Sequence, residues 1–527
     1  MGQYLDIRGF TDCTDKQLLF KCGFLITNDK SISTETPVFK KNWDFLEIRG
    51  YVFFINNSVS FYHVETADQS ILFVIGHLYN PFTMEAEERK ILSAMSNLGE
   101  EDFWRYESQL TGVYVMGRIK PDGSIVHWSD CAGMRISYYG KVGDCYYLTS
   151  HVNLVAALCN LTEDKYIKKL KCSRYFHLFG NVLPSDMSVY KELKRTVPNH
   201  WYSSSGEKRR FFPFEKVKVC RTEGEYQEVV VQSAEILKNT LALCAKKWEG
   251  KRIAISVTGG KDSGVTFASA NGNYDKFLYF SYISKSEEEV DARVAHDMCE
   301  KIGLEHTIIN VPENNKDIPD FDYLDNIVYM NGGFIGHIKA NEIRKRAILI
   351  DNNSFDIEIK SWVNEITRAY WYKKYSKKRF PKKPNGRYLA TLYKVFFENR
   401  ILFNKTARVF NQYISEYMTS DDIELMGDWT TLWSWEFGFS AGEGQSLISE
   451  QLLSFDVTIP FNNRRLISLM LKPKLEDRIE DRLQKDIIKT NNSTQASLNI
   501  DVVNAAHTQK RAKIEKLYLT INSHLPF

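Results

Sequence analysis

A buried strand that runs into a glycine pair constrains this chain more than any other feature. Residues 252–257 (RIAISV) have the apolar composition of a strand, and 258–264 (TGGKDSG) follow at once. Glycines permit a tight turn there, and a helix is predicted from Ser263. Such a unit predicts a parallel sheet with ligands at the carboxyl ends of its strands. Further segments alternate in the same way: a strand at 276–284, a helix over 286–305 and a strand at 306–311.

The first 210 residues have a different pattern. Short segments that alternate apolar and aromatic residues are separated by turn signals, and 120–124 (KPDGS) and 141–145 (KVGDC) are predicted hairpin turns. We therefore expect a layered antiparallel α+β domain over 1–210, with an exit loop at 203–218. A second domain, over 220–527, would contain the parallel sheet and a mostly helical carboxyl-terminal part, so the fold class is α/β.

The composition limits the partners and the compartment. A net charge of +3 gives no electrostatic reason to expect nucleic acid or a membrane surface as a partner. The 9 cysteines include no C-x-x-C pair, which argues against zinc and against a disulfide framework. The amino-terminal segment does not have the layout of a signal peptide, and no apolar run approaches the ~18 residues of a membrane span. A cytoplasmic protein that binds neither nucleic acid nor membrane is expected.

The loop at 258–263 has the residue types that phosphate binding needs. Several backbone amides can converge on an anion beside the amino-terminal end of a helix, where Thr258, Lys261 and Ser263 add donors or charge. Asp262 is an unsuitable neighbour for phosphate unless a divalent cation lies between them. An ordinary glycine-rich turn between a strand and a helix is the alternative. The segment does not have the Walker A pattern.

This loop resembles the S-G-G-x-D-S pyrophosphate loop of the N-type ATP pyrophosphatases, with Thr258 in place of the first Ser. Because it follows an antiparallel half, the whole chain resembles the asparagine synthetase B family, which includes β-lactam synthetases and lasso-peptide cyclases. Other segments match that family less specifically but in the right order: 110–119 (LTGVYVMGRI), 129–139 (SDCAGMRISYY), 146–158 (YYLTSHVNLVAAL), 179–202 (FGNVLPSDMSVYKELKRTVPNHWY) and 459–473 (IPFNNRRLISLMLKP).

The resemblance implies an Ntn-hydrolase-like amidotransferase domain followed by an ATP pyrophosphatase-like domain. It implies ATP and Mg²⁺ as cofactors, with ATP lying across the first and third strands of the parallel sheet. It also implies a ligase that forms a carbon–nitrogen bond and cleaves ATP to AMP and pyrophosphate. The residues that it assigns to ATP or pyrophosphate are Ser256, Val257, Thr258, Gly259, Gly260, Lys261, Asp262, Ser263 and Tyr282.

One departure from the family lies in the first domain. Glutamine-hydrolysing members have a nucleophilic Cys after the initiator Met, and this chain has Gly2. An N-G-E stretch that helps to bind glutamine corresponds here to Ile75, Gly76 and His77. Glutamine is therefore not the expected nitrogen source, and the domain is expected to serve as a scaffold.

We expect no glutaminase activity. Gly2 has neither thiol nor hydroxyl, so it cannot form the acyl-enzyme intermediate. Incubation with glutamine should release no more glutamate than a buffer blank. Release that survives further purification of the protein would show that the first domain has been misinterpreted.

The second departure lies at 359–370 (IKSWVNEITRAY), which aligns with the family's second pyrophosphate loop, S-G-E-G-x-D-E-x-x-G-G-Y. Glu365 matches and is assigned a catalytic role, whereas Asn364 replaces a metal-binding Asp and would share the metal with Asp262. Arg368 replaces a Gly and is predicted to be catalytic, because an arginine can clamp phosphate directly. The alternative is a surface helix on which Glu365 and Arg368 merely pair at i,i+3 spacing.

Other residues carry weaker predictions. Glu436 lies among aromatic residues and is either a buried functional acid or a packing residue. A late basic segment resembles the part of the family in which a lysine steadies the acyl-adenylate, and Lys485 is assigned that role, although Lys510 stays open. The basic run at 373–387 is either a solvated loop or a platform for substrate. Arg482 and Lys489 belong to the same late basic segment, whereas Asn462, Arg464 and Arg465 match a family motif whose usual role is structural.

The function that this resemblance implies is a synthetase that adenylates a substrate carboxylate and passes the acyl group to a substrate amine. The acid and the amine would be small molecules or peptides, and the product would be a lactam, a macrolactam or a conjugate. Two alternatives stay open: amidation with free ammonia, and a catalytically inactive paralogue that binds a partner. A homodimer or a biosynthetic partner protein also stays open.

Overall fold

The structure, a computed structural model, describes residues 5–6, 11–12, 14–173, 176, 182–335, 340–352, 354–392, 399–498 and 517. Gly2 and Lys510, which carry predictions above, lie outside the described residues. The strands of the first half are β1 Leu5–Asp6, β2 Thr11–Asp12, β3 Phe24–Thr27, β4 Trp43–Ile48, β5 Tyr51–Asn56, β6 Phe61–Glu65, β7 Ile71–Tyr79, β8 Thr111–Ile119, β9 Ile125–Ser129, β10 Tyr138–Val142, β11 Cys145–Thr149, β12 Leu193–Arg195, β13 His200–Ser203 and β14 Lys208–Arg210.

Two six-stranded antiparallel sheets form this half, in the orders β12-β10-β11-β3-β5-β4 and β14-β13-β9-β8-β7-β6. One apolar core lies between the sheets, because strands of both contribute alternate side chains to it. Phe53 of the first sheet meets Phe73 of the second edge to face, with ring centroids 5.3 Å apart. The predicted layered antiparallel α+β part is therefore confirmed.

The two predicted hairpin turns are present. β8 pairs with β9 across 120–124, where Lys120 N donates to Ser124 O over 2.8 Å. β10 pairs with β11 across a turn in which Gly143 has a φ of +60°, a value that glycine adopts without strain. Turn composition therefore predicted the local pairing correctly.

The predicted exit loop at 203–218 is wrong over its first half. Residues 203–207 form another hairpin turn, and β14 pairs with β13 in antiparallel register. Gly206, at a φ of +98°, allows the tight return. The charged residues of β14 obscured the strand because it lies at the sheet edge, where no partner strand requires apolar side chains.

The second half contains a five-stranded sheet in which every neighbouring pair is parallel. Its strands are β15 Ile253–Ser256, β16 Leu278–Ile283, β17 Thr307–Asn310, β18 Ile357–Ile359 and β19 Asp456–Thr458, in the order β17-β16-β15-β18-β19. The chain thus builds outward from β15 on one side and then crosses to β18 on the other. This reversal makes the carboxyl ends of β15 and β18 the topological switch point, where open α/β sheets bind ligands.

Helices cover both halves and dominate the carboxyl-terminal part, which confirms the predicted α/β fold class. The helix predicted from Ser263 begins two residues earlier, at Lys261. The longer helices are Glu88–Met95, Glu100–Glu107, Val152–Cys159, Lys165–Lys171, Glu223–Lys247, Lys261–Ser269, Glu287–Ile302, Phe321–Asn331, Ala340–Asn352, Gly386–Leu392, Arg400–Tyr417, Ser420–Met426, Glu443–Ser449, Arg464–Met470 and Arg482–Asn491. The shorter ones are Tyr370–Tyr375, Trp429–Trp433, Leu475–Ile479 and Ser493–Ser497. Within the described ranges, none of these helices has the length and apolarity that a bilayer crossing requires.

Buried polar contacts join the two halves. Arg464 donates to Glu107 over 2.7 Å and to the carbonyl oxygens of Ser129 and Asp130 over 2.8 and 3.0 Å. Because a buried guanidinium needs counter-charge and acceptors, these contacts hold its segment in one position. Asn462 acts in the same way, since it accepts from Ala132 N over 2.9 Å.

Glu436 also belongs to this contact between halves. It lies in the π-helical turn Ser434–Phe439 and accepts hydrogen bonds from Arg210, one of them over 2.8 Å. Asn199 donates to the same carboxylate over 3.0 Å. Of the two interpretations of Glu436, the packing role fits these contacts, because its oxygens are occupied by partners from the first half.

Candidate functional site

The glycine pair forms the loop that connects β15 to the helix Lys261–Ser269. Val257, just past the strand, continues the sheet pattern, since its amide donates to Phe280 O over 2.9 Å. Thr258 and Gly260 are exposed, whereas Ser256 is half-buried against the sheet. Gly260 caps the helix, and Lys261 is its first residue. The loop therefore lies at the positive end of a nine-residue helix, where anions are favoured.

Ser263 closes this loop from inside. Its hydroxyl accepts from Thr258 N over 3.1 Å and lies 2.8 Å from Thr258 Oγ1. It is also 3.1 Å from the carbonyl oxygen of Gly260. Two side chains that were predicted as phosphate donors therefore hold the loop in shape here, together with two loop amides: Thr258 N donates to Ser263 Oγ over 3.1 Å, and Gly260 N donates to Thr258 Oγ1 over 3.2 Å.

An acidic side chain lies near a further amide of the loop. The carboxyl group of Asp291, on the helix Glu287–Ile302, lies near the amide of Gly259, which favours its charged form. Burial raises the pKa of Asp291, and the nearby charge of Glu288 adds to the rise. The Gly259 amide therefore lies beside an acidic oxygen, at the end of the helix where anions are favoured.

Asp262 and Arg368 form an ion pair across the switch point. Arg368 Nη1 donates to Asp262 Oδ2, and Asn364 Nδ2 donates to Asp262 Oδ1 over 2.7 Å. Burial raises the pKa of Asp262, although the Arg368 guanidinium opposes the rise. The surface-pair interpretation of Arg368 is thus wrong: the residue lies in the 3-10 turn Asn364–Arg368, and its partner is the loop aspartate.

Asp481 holds the other edge of the same guanidinium. Arg368 Nε and Nη2 donate to its two carboxylate oxygens over 2.8 and 3.0 Å, which is a bidentate fork. Lys373 is ion-paired with Asp481 as well. Burial alone would raise the pKa of Asp481, but hydrogen bonds and charges from Arg368 and Lys373 hold it below its ordinary value.

The turn that carries Arg368 is strained and internally braced. Val363, just before the turn, has a φ of +81°, which is unfavourable for a β-branched side chain. Backbone strain of this kind costs about 1–3 kcal/mol and clusters at functional sites. Asn364 is fully buried, and its Oδ1 lies 3.0 Å from Thr367 Oγ1 and 3.3 Å from Gln484 Nε2. These contacts fix the amide that orients Asp262.

Glu365 lies in the same turn with one carboxylate oxygen enclosed. Among the described residues, Glu365 Oε2 has no hydrogen-bond partner. Burial, followed by the charge of Asp262, raises the pKa of Glu365 to about 8. The nearby Glu443 has a pKa raised by burial to about 7. Glu365 and Glu443 are thus two neighbouring carboxyl groups with pKa values raised to near neutral, a feature typical of catalytic sites.

The raised pKa of Glu365 predicts a pH-dependent stability. The folded state favours the protonated form, so this contribution is complete below the ordinary value of 4.5 and is lost as the pH rises through about 8. Glu365→Gln removes the titration, so the wild type should lose thermal stability relative to the variant over that range. Glu443 titrates in both proteins, and its effect cancels. Unfolding temperatures of both proteins that change in parallel with pH would contradict this expectation.

The structure does not bring every predicted residue into this site. Lys485 is exposed on the helix Arg482–Asn491, whereas its neighbour Gln484 is buried and donates toward Asn364 and Thr367. Arg482 pairs with Glu223 over 2.5 Å at the protein surface. Lys489 is exposed as well. Within the described part of the chain, no hydrogen bond or ion pair joins Lys485 to the loop.

Tyr282 lies on β16, the strand next to the one that leads into the loop. Its ring is edge to face with Phe280, at 5.0 Å, and the Lys345 ammonium lies 5.6 Å from its centroid. Burial raises the pKa of Tyr282, and the charge of Glu358 raises it further. Tyr282 thus belongs to a buried charged cluster on the sheet. The resemblance places ATP across the first and third strands of the parallel sheet. In the structure these strands, β15 and β17, are not neighbours, because β16 lies between them.

Asp291, Asp481, Gln484 and Lys373 complete the site, and the sequence reasoning did not identify them. No local pattern marks Asp481, which is 113 residues from its partner Arg368. Lys373 was included only as one member of the basic run at 373–387. Its ion pair with Asp481 ties the start of that run to the site.

The residues present can hold a magnesium ion that arrives with a nucleotide. Mg²⁺ is usually bound in such sites by one or two carboxylates together with substrate phosphates, and Asp262 supplies one carboxylate at the loop. Asn364 directs its nitrogen at Asp262, so in this arrangement it positions the carboxylate. No group of three or more His, Cys, Asp or Glu side chains suited to a metal occurs in the ranges that the structure covers.

The chain matches no known family model, and no curated protein matches it. Solved structures show only weak similarity to it. It is similar at 12% identity to an allosteric regulatory enzyme of purine biosynthesis, over 56% of this chain and 78% of that chain, with a TM-score of 0.22.

Two further solved structures have comparable scores. A glutamine phosphoribosylpyrophosphate amidotransferase from B. subtilis, complexed with ADP and GMP, is 10% identical over 66% of this chain and 70% of its own, with a TM-score of 0.21. A glutamine-dependent NAD+ synthetase from Acinetobacter baumannii, in complex with ADP, is 11% identical over 43% of this chain and 51% of its own, with a TM-score of 0.20. The chain spans about half the length of that synthetase. Similarities this low carry no functional conclusion.

Proposed function

We propose that the protein is an ATP-dependent synthetase that joins a carboxylate to an amine. One observation carries this proposal: the 258–263 loop and the Asp262–Arg368 pair meet where β15 and β18 end. Ligands of open parallel sheets bind at such a reversal of strand order. Amides at a helix start, an acid suited to a metal and a phosphate-clamping arginine are the groups that an ATP-cleaving site needs.

In the first half of the reaction, an oxygen of the substrate carboxylate attacks the α-phosphorus of ATP. The bond between that phosphorus and the pyrophosphate oxygen breaks, which gives an acyl-adenylate and pyrophosphate. Backbone amides of 259–262 would stabilise the negative charge that develops on the leaving pyrophosphate. When ATP binds, a phosphate oxygen would replace the Asp291 carboxyl group as the neighbour of the Gly259 amide.

In the second half, the amine nitrogen attacks the acyl carbon and AMP leaves. The attacking amine must release a proton as the amide forms. Glu365 is suited to accept it, because its pKa of about 8 lies close to neutral pH. Asp262 would hold a magnesium ion bound with ATP, and that ion would neutralise phosphate charge. Holding both substrates together would supply much of the rate.

ATP–pyrophosphate exchange tests this function. Full-length protein, ATP, Mg²⁺ and radiolabelled pyrophosphate would be incubated with amino-acid, peptide and sugar carboxylates. Incorporation of label into ATP in the presence of one acid class supports the proposal and names the acid. Release of ADP and phosphate, in place of AMP and pyrophosphate, would show a different reaction.

A further inference from the structure

A second group of buried charges lies on the parallel sheet, next to the loop site. It comprises Tyr282 on β16, Glu358 and Lys360 at β18, and Arg346 on the helix Ala340–Asn352, and is called here the Arg346 cluster. Arg346 is 2% exposed, Glu358 0% and Lys360 7%. Lys360 precedes Ser361, whose hydroxyl donates to Thr266 over 2.8 Å, so the cluster adjoins the helix that follows the loop.

Within the described part of the chain, the neighbouring ammonium groups have direct ion pairs and the Arg346 guanidinium does not. Lys360 is paired with Glu358 over 2.8 Å, and Lys345 is paired with Glu288 and with Glu342, each over 3.2 Å. Among the described residues, Arg346 has no ion pair. A buried guanidinium without an anion is unfavourable by several kcal/mol, so a native fold normally supplies one.

Several buried polar atoms of the cluster also have no hydrogen-bond partner in the described ranges. They are Arg346 Nε and Nη1, Tyr282 Oη and Glu358 Oε2. The guanidinium lies near the Tyr282 phenol without a hydrogen bond of normal geometry between them. Native proteins satisfy nearly all such atoms, so four in one place indicate a missing partner. The atoms supply donors from Arg346 and Tyr282 and an acceptor from Glu358.

Aromatic side chains form the apolar wall beside these atoms. Phe355 stacks on Phe280 at 4.7 Å and contacts Phe455 at 4.6 Å. The Arg346 guanidinium lies 5.8 Å from the Phe455 ring centroid. A partner would therefore meet charge and hydrogen-bond donors at one end and hydrocarbon at the other.

We propose that the Arg346 cluster binds a small organic acid, with the carboxylate on Arg346 and Tyr282 and a hydroxyl or amide N–H of the ligand on Glu358. A carboxylate would supply two acceptor oxygens to the unpaired donors of Arg346 and Tyr282, whereas an ammonium group would place positive charge beside the guanidinium. The aromatic wall suits an apolar ligand body. The proposal does not rest on the synthetase function, since neither ATP nor the loop takes part.

Thermal unfolding of the full chain, without ATP or Mg²⁺, tests the proposal with lactate, 3-hydroxybutyrate and mandelate. Each acid would be compared with its uncharged amide at a concentration that saturates a millimolar site. At least one acid should raise the unfolding temperature by about 1 °C, and its amide should not. If no acid exceeds its own amide, the proposal is overturned.

Variants show whether the effect arises at this cluster. Arg346→Met should abolish the shift, whereas Arg344→Met should retain it, because Arg344 on the same helix donates to Asn315. Tyr282→Phe removes only a hydroxyl, and should weaken binding roughly 3- to 10-fold with the fold intact even if Arg346→Met does not fold. Unchanged affinity in Tyr282→Phe would overturn the assignment. Binding of the acid should persist in Asp262→Ala. A failure of the synthetase function would therefore not be mistaken for a failure of acid binding.

Discussion

Replacing Asp262 by alanine is expected to abolish magnesium-dependent ATP binding while the protein stays folded. The carboxylate is the one acid that lies in the loop itself, and without it a magnesium ion on the phosphates loses its protein ligand. Arg368 would keep its fork with Asp481, at 2.8 and 3.0 Å, so the substitution leaves no unpaired guanidinium behind. Isothermal calorimetry with ATP, in the presence and absence of Mg²⁺, measures the change.

Two controls make this result interpretable. Asp262→Asn keeps a side chain of the same size beside Asn364 but removes the charge, and it should also lose the magnesium dependence. Asp275→Ala removes an exposed acid paired with Lys276 in the same half and should bind ATP as the wild type does. Wild-type protein that binds no ATP at millimolar nucleotide would refute the proposed function as a whole.

The sequence was sufficient for the parallel sheet and its loop because the signals there are local. Apolar runs, a glycine pair and acids at the start of a helix lie within a few residues of one another. The observed strands at 253–256 and 278–283 agree closely with these signals. The same local reasoning missed β14. Its sequence, Lys-Arg-Arg, is polar because an edge strand needs little burial.

The composition of the site could be predicted only in part, because its contacts are long-range. Asn364 and Arg368 were identified by their place in one segment, and both meet Asp262, more than 100 residues away. Asp481 and Gln484 had no such signal. Gln484, not Lys485, faces the site, because the helix Arg482–Asn491 turns its apolar and amide side chains inward and its lysines outward.

Strand order was a further property that the sequence did not reveal. Consecutive strands are usually neighbours, and β15, β16 and β17 follow that rule. β18 does not, because it returns to the far side of β15. This single crossover brings the segment with Arg368 to the loop, and no residue pattern in either segment specifies it.

Arg368→Ala is expected to slow pyrophosphate release strongly and to change ATP affinity little. One edge of the guanidinium is anchored to Asp481, and Nη1 contacts Asp262. If Asp262 held a magnesium ion together with ATP, Arg368 Nη1 would be available to the leaving pyrophosphate, and Asp481 would still hold the other edge of the guanidinium. A charged hydrogen bond that strengthens as the leaving group departs acts on the chemical step. Its loss should cost roughly 2–4 kcal/mol, or about 30- to 1000-fold in turnover.

Conservative variants separate this role from a purely structural ion pair. Arg368→Lys should recover only part of the rate, because a single ammonium cannot bind both oxygens of Asp481 and also reach phosphate. Asp481→Asn weakens the anchor and leaves Nη1 intact, so it should slow the reaction less than Arg368→Ala does. Rates of ATP–pyrophosphate exchange and calorimetric ATP affinities, measured for the three variants, show which substitution slows the reaction most. If Arg368→Ala exchanges pyrophosphate as fast as wild type, the guanidinium only joins Asp262 to Asp481, and the alignment of 359–370 with a second pyrophosphate loop must be abandoned.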